Sequence, residues 1–460
     1  MQGQLDEAAS AMEGEVIAGD SATRWQGALL DSRQVTGGEL FFALRGAETD
    51  GHRFVERALE AGAAAAVVSQ LVDCEGPIIR VRDGYEALHA LTRSMRERAP
   101  QHLVGITGSA GKTTTKELLA AMLSERYRVA RSPGNLNNTY GFPLALLGID
   151  EDAEWMVAEM GMSEPGELGQ VSRLGVPEVA VFTNVRPAHL EFFGSLRAVA
   201  QAKMELLEGL QPGGQVIANA DDPEVMWIAG QHRGPVVTYG IESPEADVRA
   251  ADIETSYPVG TRFRLLAGAD GIAVEQWVEL PLHGRYNVEN FLAAAATALS
   301  LGVSGEEIAE AVRSVGPAPG RGQVHRLGEV TLVDDTYNAN PSALVQALEA
   351  AASLPGDRHW AVLGDMLELG AAAPRFHREA GRAAVAAGFD PIYGVGELSR
   401  ELVSAAAEAG ASTDWWLTAE EAMAGLESPR AGDVVLVKGS RSIALGRVVR
   451  AMAQAEGETD

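Results

Sequence analysis

The segment with the most specific chemical pattern reads GITGSAGKTT and runs from Gly105 to Thr114. Its small residues let backbone N–H groups surround a phosphate chain, and the start of the helix that follows adds positive potential. Lys112 can reach terminal phosphates, and Thr113 can ligate Mg²⁺. The alternative is a glycine-rich turn that only joins a strand to a helix. We predict a compact phosphate-binding loop, formed by Thr107, Gly108, Ser109, Ala110, Gly111, Lys112, Thr113 and Thr114.

Lysine is rare in this chain, which makes each lysine informative. It occurs only at positions 112, 116, 203 and 438, and arginine supplies the other basic side chains. An ammonium group can lose its proton, whereas a guanidinium group cannot. Lys203 lies in the amphipathic segment AQAKMELLEGL. It is therefore either a solvated surface cation or an amine with a chemical role.

Two further residues are candidates for metal binding beside the nucleotide. Glu159 ends the strand-like run WMVAE, and His189 follows the strand-like run VAVFTNV. Both fall where the carboxyl ends of parallel strands bind ligands. A carboxylate oxygen and an imidazole nitrogen could ligate a second Mg²⁺. As single residues, both are also compatible with a surface or capping role.

The segment DDTYNANPS, residues 334–342, ends a predicted strand and opens a helix. Its carboxylates and amides are suited to ribose hydroxyls, phosphate or metal, but Asn-Pro followed by Ser342 also fits a plain helix start. Arg321 lies in GPAPGRGQ, a Gly- and Pro-rich segment that predicts a hinge. It is either a linker arginine or a cation that reaches the γ-phosphate.

Composition excludes several classes of protein. The 460 residues suffice for two to four domains. A net charge of −27, from 37 Lys+Arg against 64 Asp+Glu, argues against nucleic acid as a partner. The single Cys74 excludes an internal disulfide framework and a cysteine zinc site. We expect a cytoplasmic protein without membrane insertion, because no apolar run reaches ~18–20 residues and the N-terminus does not resemble a signal peptide.

The strand and helix patterns predict an α/β fold of three domains. Residues 1–100 alternate short apolar runs with helical stretches, which indicates a small α/β domain. Residues 101–318 begin with the strand, loop and helix of the phosphate site and continue as a mainly parallel sheet, interrupted by an antiparallel excursion over 246–282. In residues 319–460, four strand-like runs alternate with four helical segments, which predicts a Rossmann-like domain.

Together these motifs resemble the Mur ligase family, the ATP-dependent amide-forming enzymes of bacterial cell-wall precursor synthesis. The resemblance spans about residues 31–449. It is carried by DSRQVTGGELFFALRGAETDGHRF at 31–54, GSAGKTTTKE at 108–117, GNLNNTYGFPLALL at 134–147, EMGMSEPGEL at 159–168, TNVRPAHLEFFGS at 183–195, DDTYNANPSA at 334–343, VLGDMLELG at 362–370 and VLVKGSRS at 435–442.

The resemblance implies a role for each candidate residue and for each domain. The N-terminal domain would bind the UDP-linked substrate, the central domain ATP, and the C-terminal domain the incoming dipeptide. Lys203 would react with CO₂ to form a carbamate that ligates metal, which requires an amine and not a guanidinium. The implied assignments are Lys112 to the β- and γ-phosphates, Thr113, Glu159, His189 and Lys203 to Mg²⁺, Asn290 to adenine, Asp335 to ribose, Arg321 to the γ-phosphate, Ser32 and Arg33 to the uridine nucleotide, and Asn338, Asn340, Lys438 and Arg441 to the dipeptide.

Within the family, GNLNN and VLGDMLELG favour the member that adds D-alanyl-D-alanine to UDP-N-acetylmuramoyl-tripeptide. The implied reaction passes through an acyl-phosphate, and the enzyme is expected to act as a monomer on small molecules. One alternative is the member that adds the third amino acid of the peptide, although no Asp-Asn-Pro-Arg segment is present. Another is a phosphate-loop ATPase that forms no bond.

Overall fold

The computed structural model describes residues 1–46, 49–187, 190–256, 260–269 and 272–455, which fold into mixed α/β structure. The strands are β1 Gln2–Gln4, β2 Glu15–Ala18, β3 Arg24–Gln26, β4 Ala28–Leu29, β5 Leu40–Phe42, β6 Ala65–Val68, β7 Ile78–Arg80, β8 His102–Thr107, β9 Val129–Arg131, β10 Trp155–Glu159, β11 Val179–Phe182, β12 Gln215–Asn219, β13 Val236–Gly240, β14 Val248–Ser256, β15 Gly260–Ala269, β16 Ile272–Leu280, β17 Gln323–Leu327, β18 Val330–Asp335, β19 Arg358–Gly364, β20 Ile392–Val395, β21 Thr413–Trp416 and β22 Asp433–Lys438. The helices are α1 Leu5–Ala11, α2 Val55–Glu60, α3 Gly84–Arg98, α4 Lys112–Ser124, α5 Gly141–Leu147, α6 Glu167–Gly175, α7 Leu190–Phe193, α8 Leu196–Met204, α9 Pro223–Ala229, α10 Arg285–Ser300, α11 Gly305–Ala311, α12 Pro341–Ala352, α13 Ala373–Ala386, α14 Ser399–Glu408, α15 Ala419–Gly425 and α16 Gly446–Ala455.

The chain divides into two compact units. The first consists of Met1–Thr107, Arg126–Ala180 and Ala202–Gln215. The second consists of Gly108–Glu125, Val181–Gln201 and the residues from Val216 onward. Within the described ranges, every helix is too short or too polar to span a lipid bilayer.

The first unit contains a five-stranded sheet in the order β2-β7-β6-β5-β4. Strands β4 to β7 pair in parallel and β2 pairs antiparallel to β7. Phe41, Val55 and Ala66 are among the fully buried residues of its core. Asp83 caps the start of α3 by accepting hydrogen bonds from two backbone N–H groups.

The first unit also contains three parallel strands in the order β8-β10-β9. All five residues of β10 are buried, as is typical of a parallel strand covered on both faces. The register pairs Glu159 of β10 with Ile106 of β8. The carboxyl ends of these two strands therefore lie side by side, with Glu159 next to the end of the strand that leads into the phosphate loop.

The second unit begins with helix α4 and includes the predicted antiparallel excursion. Strands β12, β13 and β14 pair in parallel, after which β15 and β16 continue the sheet antiparallel. Helix α10 packs along α4. A capping box formed by Ser304 and Glu307 starts helix α11.

The rest of the second unit is a six-stranded sheet in the order β17-β18-β22-β19-β20-β21. The strands are parallel except for β17. Alternate residues of β22 enter different cores: Leu436 packs with the α12–α13 side, and Val435 and Val437 pack with α16. This sheet has the predicted Rossmann-like arrangement. It also has two edge strands, β17 and β21, and a fifth helix that the sequence pattern did not indicate.

Candidate active site

The loop between β8 and α4 requires glycine at two positions. Gly108 and Gly111 have φ angles of 153° and 84°. A Cβ atom added at Gly108 would lie 1.8 Å from Thr183 Oγ1, and one added at Gly111 would lie 2.0 Å from Asn290 Oδ1. Neighbouring side chains thus pack directly against the loop backbone, where only glycine fits.

Lys112 is the first residue of α4, and its side chain turns back over the loop. Its Nζ donates a hydrogen bond of 2.8 Å to the carbonyl oxygen of Gly108. The N–H groups of the first helical turn have no acceptor within the helix, so they can bind an anion. The loop, the ammonium group and the helix start together form a site that fits the phosphates of a nucleotide.

The segment after β11 holds this loop in place. Thr183 Oγ1 donates to the carbonyl of Ala110 at 2.7 Å. Asn184 bonds both polar groups of Ala110, since its Oδ1 accepts from Ala110 N at 3.0 Å and its Nδ2 donates to Ala110 O at 3.2 Å. Ser109 N also donates to Asn184 O at 2.9 Å. Sequence reasoning gave no role to Thr183 or Asn184, although both lie in the motif TNVRPAH.

Asn290 lies in the first turns of α10, against the glycine that precedes Lys112. Its side chain is buried, and its Nδ2 donates to Asn287 Oδ1 at 3.2 Å. The structure therefore places Asn290, the residue predicted to face adenine, beside the phosphate loop.

Tyr286, one residue before Asn287, lines a narrow cleft with Gly322 and Asp335. Burial raises the pKa of the Tyr286 hydroxyl above its usual range, and the nearby Asp335 carboxylate raises it further.

The ends of β18 and β22 are joined by a partly buried ion pair. Lys438 Nζ donates to Asp335 Oδ2 at 2.6 Å and to Asn338 O at 2.9 Å. The carboxamide oxygens of Asn338 and Asn340 accept from the backbone N–H groups of Ala339 and Ala343, and the second of these bonds caps α12. The predicted dipeptide residues Lys438, Asn338 and Asn340 therefore also organise this edge of the sheet.

Two arginines of the predicted site share one aromatic ring. The guanidinium carbon of Arg321 lies 4.0 Å from the centre of the Tyr337 ring, and that of Arg441 lies 5.5 Å from it. Tyr337 N donates to the carbonyl of Gly320, which fixes the turn that carries Arg321. Cation–π contacts of this kind hold a guanidinium group without neutralising its charge.

The predicted metal ligands lie in different parts of the chain. Glu159 is 2% exposed, and its Oε2 accepts from Asn137 Nδ2 at 3.3 Å. Lys203 is 3% exposed, near the end of α8. His189 lies outside the described residues. Within those residues, no group of three or more His, Cys, Asp or Glu side chains could hold a metal ion. The predicted Mg²⁺ ligands differ from such a group, because they include the hydroxyl of Thr113 and a carbamate on Lys203.

Ser32 and Arg33, which are predicted to bind the uridine nucleotide, lie in a single-turn helix of the first unit. Asp31 caps this turn and binds the Arg33 guanidinium at 2.7 Å. The hydrogen bond from the Arg33 side chain lowers the pKa of Asp31 to about 2. Ser32 is buried, whereas Arg33 remains exposed.

Comparison with protein families gives three matches that follow one another along the chain. The catalytic domain model of the Mur ligase family matches residues 26–123, the Mur ligase middle domain matches residues 106–298, and the Mur ligase glutamate ligase domain matches residues 320–441.

Similar proteins extend over nearly the whole chain. The UDP-N-acetylmuramoyl-tripeptide--D-alanyl-D-alanine ligase of Escherichia coli (strain K12) is 36% identical over 427 residues, which cover 92% of this chain and 93% of that protein. The ligase of the same name from Bacillus subtilis (strain 168) is 32% identical over 432 residues, 92% of each chain.

Solved structures agree with these matches. A crystal structure of MurF from Acinetobacter baumannii is 30% identical, with a TM-score of 0.87 and 99% of each chain covered. The structure of MurF ligase from Thermotoga maritima in complex with ADP is 29% identical, with a TM-score of 0.79, and covers 94% of this chain and 98% of that chain.

Proposed function

The chain belongs to the Mur ligase family, and from this we infer that it joins D-alanyl-D-alanine to UDP-N-acetylmuramoyl-tripeptide in the synthesis of peptidoglycan precursors. This inference is carried by the agreement between the Escherichia coli and Bacillus subtilis ligases. Their names give the same pair of substrates, and each protein matches 92% of this chain. The phosphate loop of this chain provides the site that an ATP-dependent ligase needs.

The reaction has two bond-forming steps. The terminal carboxylate of the tripeptide attacks the γ-phosphorus of ATP, so that ADP leaves and an acyl-phosphate forms. The amine of D-alanyl-D-alanine then attacks the acyl carbon, and phosphate leaves as the amide forms. The physical difficulty is that an anionic carboxylate must approach an anionic triphosphate. Lys112 and the first turn of α4 reduce this repulsion with positive potential fixed in advance.

We further propose that the nucleotide lies along the second unit from Asn290 to Arg321. Asn290 packs against the loop and would meet the adenine, and Asp335 would bind the ribose. Arg321 has no acidic partner among the described residues and lies on the Tyr337 ring. It is therefore available for the γ-phosphate.

Magnesium and a modified lysine complete the proposed centre. Bound Mg²⁺ would neutralise phosphate charge and polarise the γ-phosphate. Thr113, Glu159 and His189 would ligate it, and the buried carboxylate of Glu159 at a strand end suits a hard cation. Lys203 would supply a further oxygen ligand after its amine adds to CO₂ with loss of a proton, which gives a carbamate anion.

Three domains with separate substrates fit this reaction. We propose a UDP-binding domain over residues 1–100 that includes Ser32 and Arg33, an ATP-binding domain over 101–318, and a dipeptide-binding domain over 319–460 that includes Asn338, Asn340, Lys438 and Arg441. The ends of the family matches at 298 and 320 support the second boundary.

The direct test is phosphate release from purified protein with ATP, Mg²⁺ and UDP-N-acetylmuramoyl-tripeptide, with D-alanyl-D-alanine present or replaced by single amino acids. Release that requires both the tripeptide and the dipeptide, together with a pentapeptide product, is expected. Release that requires a shorter donor and a single amino acid would keep the family and overturn the substrate assignment. Release with ATP alone would contradict the ligase function.

A further inference from the structure

A groove of about 640 Å³ lies in the second unit between the β17–β18 edge and helix α16. Its walls include three arginines, Arg441, Arg447 and Arg450. This is an unusual lining for a protein whose net charge is −27. The groove therefore combines a cationic lining with enough volume for a small organic molecule.

Two of these arginines keep their positive charge available. Arg447 forms an ion pair with Glu420. Among the residues that the structure describes, no carboxylate forms an ion pair with Arg441 or Arg450, so no described acidic group neutralises their charges. The carboxylate of Asp334, which also lines the groove, accepts from Thr336 N at 3.1 Å and Thr336 Oγ1 at 2.6 Å. The described lining holds three arginines against this one carboxylate, so it carries a net positive charge.

The polar groups converge at the start of α16. A Cβ atom added at Gly446 would lie 3.4 Å from Thr336 Oγ1 and 3.6 Å from Arg450 Nη1. The Arg450 guanidinium therefore reaches back toward the helix start, as side chains on helices lean toward the N-terminus. Because residue 446 is glycine, no side chain occupies the space between these groups.

The groove adjoins the proposed position of the γ-phosphate. Tyr337 lines the groove, and its ring carries Arg321 at 4.0 Å and Arg441 at 5.5 Å. A dipeptide in extended form spans roughly 7 Å. A dipeptide whose carboxylate is bound in the groove can therefore direct its amine toward the region of Arg321, where the acyl-phosphate forms.

We propose that Arg450, together with Arg441, binds the carboxylate of the acceptor dipeptide in this groove. The proposal rests on the proposed function and adds a specificity-determining residue to it. Ala444, Val449 and Ala453 give the groove apolar walls that suit the methyl groups of alanine residues. A phosphate ion shares the oxyanion chemistry, but it would leave these walls and most of the volume unused.

The test compares D-alanyl-D-alanine with its C-terminal amide as acceptor. Wild-type protein should prefer the free acid by about tenfold to a hundredfold in kcat/KM, the range expected for hydrogen bonds to a charged group. Arg450→Met should bring this preference close to one, mainly through a higher KM for the free acid. Arg450→Lys, which keeps the charge, should restore part of the preference. Arg382→Met, on α13, is the matched control and should keep the wild-type preference.

Each outcome has a distinct meaning. An Arg450→Met protein with wild-type preference for the free acid would overturn the proposal. A variant with unchanged acid preference but a higher KM for ATP, or weaker inhibition by inorganic phosphate, would assign the groove to phosphate instead. If the wild-type protein forms no product with D-alanyl-D-alanine, the proposed function fails and this proposal fails with it. If product forms but Arg450→Met prefers the free acid over the amide as strongly as the wild type does, only the proposed carboxylate site is refuted.

Discussion

Lys438 and Asp335, which are 103 residues apart in the chain, form an ion pair of 2.6 Å at the ends of adjacent parallel strands. The Lys438 side chain is 3% exposed and that of Asp335 is 15% exposed. The pair joins the dipeptide side of the proposed site to its ribose side. Lys438 therefore has a structural role in addition to any contact with substrate.

Breaking this pair from one side should destabilise the protein. Lys438→Met leaves the Asp335 carboxylate without its cation, and we expect the free energy of unfolding to fall by about 3 kcal/mol. The double variant Lys438→Met/Asp335→Asn should lose less than the sum of the two single losses, because neither charge is left unpaired. Urea denaturation measures the free energy of unfolding of the wild type, Lys438→Met, Asp335→Asn and the double variant. Additive losses would show that the two side chains are not coupled.

The two glycines that start helices α4 and α6 allow a matched comparison. Gly111 and Gly166 have φ angles of 84° and 88°, but only Gly111 has a close neighbour, Asn290. Alanine at either position should cost about 1–2 kcal/mol of stability because of the left-handed backbone. Only Gly111→Ala should also raise the KM for ATP by about tenfold or more, because the added Cβ displaces the loop or Asn290. Equal KM values for the two variants would argue against nucleotide binding at this loop.

The amine of Lys112 should be required for turnover and not for folding. Lys112→Met removes a positioned cation from the phosphate site, and we expect kcat to fall by at least about 100-fold. The unfolding transition should stay close to that of wild type, since the side chain is only partly buried and bonds one loop carbonyl. Arg313→Met, a change of an exposed cation elsewhere, should leave kcat unaltered. Ligation by the Lys112 variant near the wild-type rate would refute the assignment.

Bicarbonate dependence tests the proposed carbamate on Lys203. Activity in buffers purged of CO₂ should fall several-fold and should recover when bicarbonate replaces an equal concentration of chloride. Lys203→Arg should be inactive under both conditions, because a guanidinium group does not form the carbamate. A fully active Lys203→Arg protein would exclude this chemistry.

A buried carboxylate in the six-stranded sheet predicts a pH-dependent stability. Burial alone raises the pKa of Asp433, but hydrogen bonds from Arg358, the Arg430 N–H group and Trp360 outweigh it and hold the pKa below its usual value. A lowered pKa means that the unfolded chain binds the proton more readily, so the stabilisation is present at neutral pH and is lost as the pH falls through the native pKa. Asp433→Asn should therefore lower the free energy of unfolding by about 3 kcal/mol at pH 7.

The difference in free energy of unfolding between wild type and Asp433→Asn should become smaller below about pH 4, which is near the usual pKa of aspartate. Urea denaturation at several pH values from 7 to 3 measures this narrowing. A constant difference over this range would show that the ionised form of Asp433 is not the source of the stabilisation.

The parts of the fold that could be predicted from sequence are those with a local pattern. The phosphate loop was predictable because small residues and a lysine follow an apolar run and precede a helical one. The antiparallel strands β14 to β16 were predictable from alternation between residues 246 and 282. The edge strand β21 was not predictable, because its segment TDWW lacks an apolar run of its own and the strand pairs on one side only.

The site was less predictable because its contacts join distant segments. The pairing of Lys438 with Asp335 depends on the register of β18 against β22, which no local pattern encodes. The hydrogen bonds from Thr183 and Asn184 to the phosphate loop depend in the same way on tertiary structure. Arg450 lies in an ordinary amphipathic helix, and only the groove beside α16 distinguishes it from other surface arginines.

The hydrogen bonds of Thr183 and Asn184 to Ala110 have a thermodynamic consequence for ligand binding. They fix the backbone of the phosphate loop with the protein's own side chains, so the conformational entropy of the loop is lost when the chain folds and not when the nucleotide arrives. Nucleotide affinity is therefore coupled to folding stability through a segment that need not touch the nucleotide. Substitutions after β11 can weaken ATP binding while every phosphate contact remains chemically intact.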